Sequence, residues 1–400
     1  MQRSVGLSQP VRVVPKRLQP RRGSILNLSV LALACLLWGG NAGAAPARIE
    51  LVTVGPGEDI LSKFGHASLC VFEQERPQGE CYNYGTADFS TPVPLTWEVL
   101  RARARFWVSV TSYERMVAFY QGEDRTIYRQ GLPLSVEQAE KMTKRLRANA
   151  LPESRFYVYN HFHDNCTTRP RDHIDTATDG ALSRATESAY PRTYRELIHE
   201  ALGHDPLLGI ASELLLGRFV DGEISTYQAM FLPAVLRQAV RQHLGAAPEV
   251  VYRREAPLPG GDPEAPLRRL WGLALGLGLT AGVALLFGSE AVSRWAHIGS
   301  GMALGVMGTS LVFVAVVSPL PEIRYNELLL VYVPADFMLL RSGSPALRIY
   351  LATRLAGLMV VASLAAAGTL LQPLWAPWSL AVLVLAAMSF KERRLKTKSA

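Results

Sequence analysis

The chain has 400 residues, enough for two or three domains. Nearly half of them are apolar, but these concentrate after about residue 267, so one average covers two kinds of protein. Many of the basic residues behind the net charge of +8 sit in an N-terminal leader and a C-terminal tail. Membrane topology explains charge in those places, and no helix-turn-helix, zinc-finger or RNA-sheet signature accompanies it, which argues against nucleic acid.

The leader comes first. Arg17, Arg21 and Arg22 precede an apolar run from Ile25 to Trp38, and Ala42-Gly43-Ala44 supplies small residues for a signal peptidase. This order predicts a secretory signal over residues 1–44, cut after Ala44. An uncleaved anchor would export the same chain. Residues 45–247 then read as a periplasmic domain. Ile49–Val54 is apolar and β-branched and predicts a strand, ended by the turn-rich run 55–59. Ala67–Phe72 predicts a second strand and Cys81–Tyr84 a short third. Cys70 and Cys81 flank a Pro- and Gly-containing hairpin, where an oxidising periplasm permits a disulfide. Cys35 leaves with the leader, so Cys166 is the odd thiol, either a core residue or a reactive group.

Leu95–Val110 reads as helix then strand, and Ser135 opens a helix with a near capping box that runs to about Ala150. Phe156–Phe162 is aromatic and predicts a strand. A helix follows Cys166, with several more over 190–245. Residues 248–266, rich in Pro, Gly and charge, read as a linker. Residues 267–390 read as a transmembrane helical domain. Leu270–Gly288, Trp295–Val317, Tyr350–Leu371 and Leu374–Phe390 are each long and apolar enough to cross hydrocarbon. Asn326–Leu340, which holds Pro334 and Asp336, is either a broken fifth span or a re-entrant piece. Five passes would leave the basic tail, 391–400, in the cytoplasm.

Two segments carry chemistry. One is 62–69, with Gly65-His66 at the start of the second strand. The other is 159–169, with Asn165-Cys166-Thr167-Thr168-Arg169 at a strand-to-helix junction. A thiol becomes nucleophilic when a helix N-terminus or an imidazolium lowers its pKa. Asp164 or Asn165 is a natural N-cap that would put Cys166 in the first turn, with His66 as proton acceptor. Pro170 argues for a helix that starts nearer Thr168, which would weaken that help.

Gly65-His66 on an early strand and Asn165-Cys166 before a helix resemble the permuted papain-like superfamily, which includes lecithin:retinol acyltransferase-like enzymes. The segment pair, with Tyr82-Asn83-Tyr84-Gly85-Thr86 between, resembles more closely a bacterial periplasmic family long of unknown function. That family is linked to lipoprotein N-acylation and joins this domain to a transmembrane domain. The resemblance covers roughly residues 47–245, and the rest only in architecture. It implies an α+β permuted papain-like domain followed by an all-α bundle of about five helices, set in a bacterial inner membrane with the catalytic domain in the periplasm.

The resemblance also implies a mechanism. Cys166 takes an acyl chain from a phospholipid as a thioester and passes it to the N-terminal amine of a diacylglyceryl lipoprotein. His66 acts as base and acid, and Asn83 on the next strand orients it unless that asparagine merely forms a turn. Asn165, Thr167 and Arg169 are the expected substrate contacts, backbone N–H groups near Cys166 the expected oxyanion donors, and no cofactor is implied. Asn326, Glu327 and Asp336 are polar at membrane depth or its edge and merit a functional reading too.

Other readings stay open. The same Cys–His pair suits hydrolysis, as a cell-wall amidase or peptidase or as a phospholipase. A non-catalytic protein that binds a membrane partner would use the domain without the thiol. Cys166 and His66 would then be structural. His161, His163, Cys166 and His173 have the types of zinc ligands, but their spacing matches no common finger.

Overall fold

The structure, a computed structural model, describes residues 47–59, 62–257 and 262–399. The expected leader with Cys35 lies outside these residues.

Seven strands form one antiparallel sheet: β1 Arg48–Val54, β2 His66–Glu73, β3 Arg76–Thr86, β4 Arg105–Ser112, β5 Ile127–Gly131, β6 Phe156–Val158 and β7 Glu249–Tyr252. Their order across the sheet is β6-β4-β3-β2-β1-β5-β7. The central strands are buried on both faces, which is why β1 reads as a nearly unbroken apolar run. Alternation divides them between two cores. Leu51, Leu69, Tyr82 and Phe106 face one core. Helices α3 (Val136–Asn149), α4 (Thr168–Ala177) and α7 (Pro233–Leu244) cover it with Met142, Leu146, Ile174 and Leu236. Val52, Cys70, Cys81 and Ile127 face the other core, covered by α2 (Tyr113–Gly122) through Met116 and Tyr120. Helix α1 (Pro92–Leu100) lies before β4 and buries none of its residues. Helices α5 (Tyr194–Leu202) and α6 (Pro206–Leu215) complete the domain.

Several expectations hold here. The capping box of α3 is made by Ser135 and Gln138 in both directions. Cys70 and Cys81 stand directly opposite in the ladder and form a disulfide. Others are corrected. The aromatic stretch 156–162 is strand only to Val158, because the chain then bends into the loop that carries Cys166. The expected linker 248–266 is partly structure: β7 pairs with β5, and Arg129 grips Glu249 through two hydrogen bonds of 2.9 and 3.0 Å.

The C-terminal region is helical. Among the described residues, three helices are long and apolar enough to cross a membrane: α8 (Ala265–Phe287), α9 (Glu290–Val317) and α10 (Pro345–Ala366). Helix α11 (Trp375–Ser399) covers the fourth expected span but falls outside those three, so the expected count of about five helices is not met. Asn326–Leu340 is not an α-helix. It forms two short 3₁₀ turns, Glu327–Leu330 and Pro334–Leu340. Gly308, Gly305 and Gly301 of α9 let this irregular chain lie against the helix; a Cβ on them would stand 2.3, 2.7 and 3.1 Å from Val333, Phe337 and Leu339. Such backbone survives among apolar helices only when protein buries it. Asp336 is fully buried there and accepts from Arg354 and from the Tyr350 hydroxyl, so its charge is paired within the bundle.

Residues 46–400 form one compact unit. The seam between sheet domain and helical region is a set of hydrogen bonds. Asn326 donates to Leu214 O and Leu215 O, Gln372 to Leu216 O, and Gly217 N to Glu322 O. Glu327 accepts from the backbone of Leu371 and Gln372 and pairs with Arg218. Asn326 and Glu327 thus serve as fasteners between the two parts.

Candidate active site

Gly65 turns the chain into β2. Its φ is +83°, and a Cβ there would sit 2.6 Å from Val54 O, so glycine is required. His66 becomes the first residue of β2, paired with Val54. Alternation sends His66 and Ser68 to the face covered by α2, where the Tyr120 ring lies 5.8 Å from the imidazole.

Asn83 stands opposite Ser68 on β3. Its Nδ2 donates to Cys81 O at 3.1 Å and to Thr111 Oγ1 at 3.2 Å. Those acceptors fix which end of the amide is oxygen. Oδ1 therefore accepts from Ser68 Oγ at 2.5 Å and from His66 Nε2 at 3.4 Å. With its proton on Nε2, His66 keeps the Nδ1 lone pair free to take another. Asn83, on the neighbouring strand, is thus the side chain that the His66 imidazole meets.

Cys166 arrives from the other direction, on a loop built by two asparagines. Asn160 Oδ1 accepts from the amides of Phe162 and His163, both at 2.9 Å, and Asn160 and Asp164 exchange backbone bonds. Asn165 Oδ1 accepts from Thr167 N at 2.7 Å and Thr168 N at 2.8 Å. Its Nδ2 donates to His161 O and Phe231 O. The expected N-cap is displaced: α4 starts at Thr168, and Cys166 lies before the N-cap Thr167. Pro170 is then the third helical residue, where its missing N–H costs nothing. The first amides of the helix are occupied by Asn165, so the dipole does little for the thiol.

Gly85 of β3, two residues beyond Asn83, has φ +86°, and a Cβ there would lie 2.9 Å from Cys166 Cβ. The bare glycine is what lets the cysteine loop meet the sheet beside His66. The backbone of Ala67, next to His66, favours the thiolate form of Cys166, and the Thr167 hydroxyl lies 3.8 Å from Sγ.

The electrostatics differ from a thiolate–imidazolium pair. Burial, helped by the Arg125 cation and opposed by the Asn83 bond, holds His66 down at about 4. Burial pushes the Cys166 thiol above its ordinary value, against the Thr167, Ala67 and Arg125 contributions. At neutral pH the resting pair is thiol and neutral imidazole. A thiol in that state could act as a nucleophile only with proton transfer to a base, as in serine–histidine chemistry.

Arg125 was not evident in the sequence. It lies on a turn between α2 and β5, remote from both motifs. The residue is 6 % exposed, donates through Nε to Gly55 O at 3.0 Å and stacks on Tyr120 at 4.9 Å. Its buried Nη2 has no hydrogen-bond partner among the described residues, and its charge acts on both His66 and Cys166. A free, desolvated donor whose charge reaches the thiol is suited to an oxyanion.

The three expected substrate contacts have partners within the protein. Asn165 is buried and spends both ends of its amide on the loop. Thr167 is fully buried beside the sulfur. Arg169 forks onto Asp164 at 2.6 and 2.8 Å and stacks on Tyr157 at 3.7 Å. All three shape the site from inside. The four potential zinc ligands are not assembled: His173 is bonded to Tyr84 at 2.8 Å, His161 packs edge-on against Phe64 and Phe231, and His163 is exposed.

Fold and site together define an α/β domain, built on an antiparallel sheet, fused to a helical region with candidate membrane spans. Residues 38–200 match the family described as the Lnb N-terminal periplasmic domain, and that stretch contains His66, Asn83, Arg125 and Cys166. No curated protein and no solved structure matches the chain.

Proposed function

We propose that this protein is a thiol acyltransferase of the bacterial inner membrane, which moves a fatty acyl chain from a phospholipid to the N-terminal amine of a lipoprotein. The observation that carries the reading is the placement of the Cys166 loop. Asn160, six residues before the thiol, donates at 3.0 Å to the buried Glu322, just past the end of α9. A nucleophile fastened to the mouth of apolar helices suits a substrate that lies in a bilayer. A sheet with histidine on one strand and the cysteine loop against the next also supports a permuted papain-like reading. Five passes would follow if Val333–Leu340 counts as an irregular pass beside α9 and α11 as the last.

The chemistry balances without a cofactor. Sγ attacks the ester carbonyl while its proton moves to His66 Nδ1. Collapse breaks the C–O bond, and the leaving alkoxide takes that proton, which yields a lysophospholipid and a thioester. The lipoprotein amine then attacks the thioester. Its proton passes through His66 to the departing sulfur, which leaves an amide and the free thiol. Asn83 holds the imidazole in the reactive tautomer, and Arg125 faces the charge that develops near the sulfur.

The test is intact mass of the full chain after incubation with phospholipid, with Cys166→Ser alongside. A fatty acyl adduct on the wild type, removed by neutral hydroxylamine and absent from the variant, is the expected result. Release of lysophospholipid with no adduct would replace transfer by lipid hydrolysis. Intact phospholipid and no adduct would point to cell-wall amide hydrolysis or to a binding role.

A further inference from the structure

A second surface next to the cysteine loop has the chemistry of a phospholipid headgroup site. Helix α1 has no fully buried residue: Leu95 and Val99 pack partly buried against the sheet core, while Val93 is 78 % and Trp97 39 % exposed. Trp97 does not float free. Its ring stacks on Phe313 of α9 with centroids 6.2 Å apart and planes 16° from parallel. Phe313 lies one turn from Val317, where α9 ends. An apolar helix that ends there has reached the boundary of hydrocarbon, so α1 lies along that boundary. Tryptophan is the side chain best suited to this depth.

Between α1 and the end of α9 is an open cavity of about 680 Å³. Its apolar side is Trp97, Val316 and Pro319; its polar side is Arg101, Arg103 and Arg324. No acidic residue lines it. Arg101 is partly neutralised by Glu98 at 3.6 Å and leans on Trp97. Arg103 and Arg324 are exposed and have no ion-pair partner among the described residues. Three guanidinium groups over an apolar floor match a phosphodiester with acyl chains beneath it.

Residues flanking the cavity lining are tied to the reactive loop. Ala104, next to Arg103, accepts the amide of Tyr159 at 3.0 Å. Glu322, two residues before Arg324, accepts the Asn160 side chain. Both tethers lead into the segment that ends at Cys166.

We infer that Arg103 and Arg324 bind the phosphate of an anionic glycerophospholipid in the outer leaflet, with its chains along Trp97 and Val316. This deepens the acyl-transfer reading, since a phospholipid is the proposed donor, but it is tested by binding and not by turnover. The full chain carrying Cys166→Ser, to keep the lipid intact, is titrated with phosphatidylglycerol and with a diacylglycerol of the same chains, and bound lipid is counted by native mass spectrometry. The expected result is tight retention of phosphatidylglycerol, at least about tenfold weaker retention after Arg103→Gln with Arg324→Gln, and no change for the diacylglycerol. Arg103→Lys with Arg324→Lys keeps the charge and recovers most of the affinity. Unchanged phosphatidylglycerol affinity in the Gln pair overturns the site, as does a Lys pair that binds as poorly as the Gln pair. Normal lipid retention with no acyl adduct on wild-type Cys166 would leave this site standing and remove the acyl-transfer reading instead.

Discussion

Gly85→Ala is the sharpest probe of how the site is assembled. The backbone there has φ +86°, which costs an L-residue about 1–2 kcal/mol. The new Cβ would also sit 2.9 Å from Cys166 Cβ, whereas carbons rest about 3.5–4.0 Å apart. The cysteine loop must therefore retreat by at least roughly 0.6 Å, and overpacking of this kind costs about 1–3 kcal/mol. The sum, about 2–5 kcal/mol, lies within the stability of an ordinary domain, so the variant should fold with a lower melting temperature. Function should suffer more than stability, because a displacement approaching 1 Å at a reacting centre can cost about 100-fold in rate. The assay is the rate of acyl-adduct formation on Cys166, by intact mass, beside a thermal melt. Gly79→Ala is the control: its φ is +68° and its Cβ would meet only the Phe72 ring, far from the thiol along β3. It should lose stability and keep the acylation rate. Wild-type acylation by Gly85→Ala, or an equal loss in Gly79→Ala, would refute the reasoning.

Four further outcomes follow from the geometry. His66, held at about 4 by burial and Arg125, is neutral and able to accept a proton down to that pH, so the acid limb of the acylation profile should fall near 4 and not near 6.5. Unfolded His66 would bind a proton already near 6.5, so this group's effect is a stability that declines as pH drops from about 6.5 toward 4. Arg125→Gln removes a cation that depresses both partners; the acid limb and the alkylation pKa of Cys166 should both move up, and a profile identical to wild type would dismiss the electrostatic role. Removing the Cys70–Cys81 bond, 11 residues apart in sequence, should cost about 3 kcal/mol in denaturant titrations without abolishing acylation. Arg354→Leu strands the buried Asp336 charge and should destabilise the protein by roughly 3–5 kcal/mol, read as loss of the folded species in detergent.

Much of the site was legible as residue types. A glycine ahead of a histidine at a strand start and a cysteine inside a polar run stand out because both break the pattern of a core strand. Asn83 could be singled out only through the family resemblance, since an asparagine in a strand equally serves a turn. The partners of Asn165 and Arg169 were not legible, because polar side chains beside a nucleophile look alike whether they meet a substrate or the protein itself. Asn165 meets Phe231 O, 66 residues away, and no local pattern announces that bond.

The sequence by itself determined the division between sheet domain and helical region, the long apolar helices and the capping box of α3, since each depends on composition or spacing within one segment. Tertiary structure alone decided the rest. It brought the Arg125 charge to bear on Cys166 and His66, held Gly85 under the thiol, turned part of the expected linker into β7 and laid Asn326–Leu340 as irregular chain along α9. These features depend on which distant backbones approach closely enough to exclude a side chain or share a proton. Distance of that kind is set by the packing of whole elements, and no window along the chain contains it.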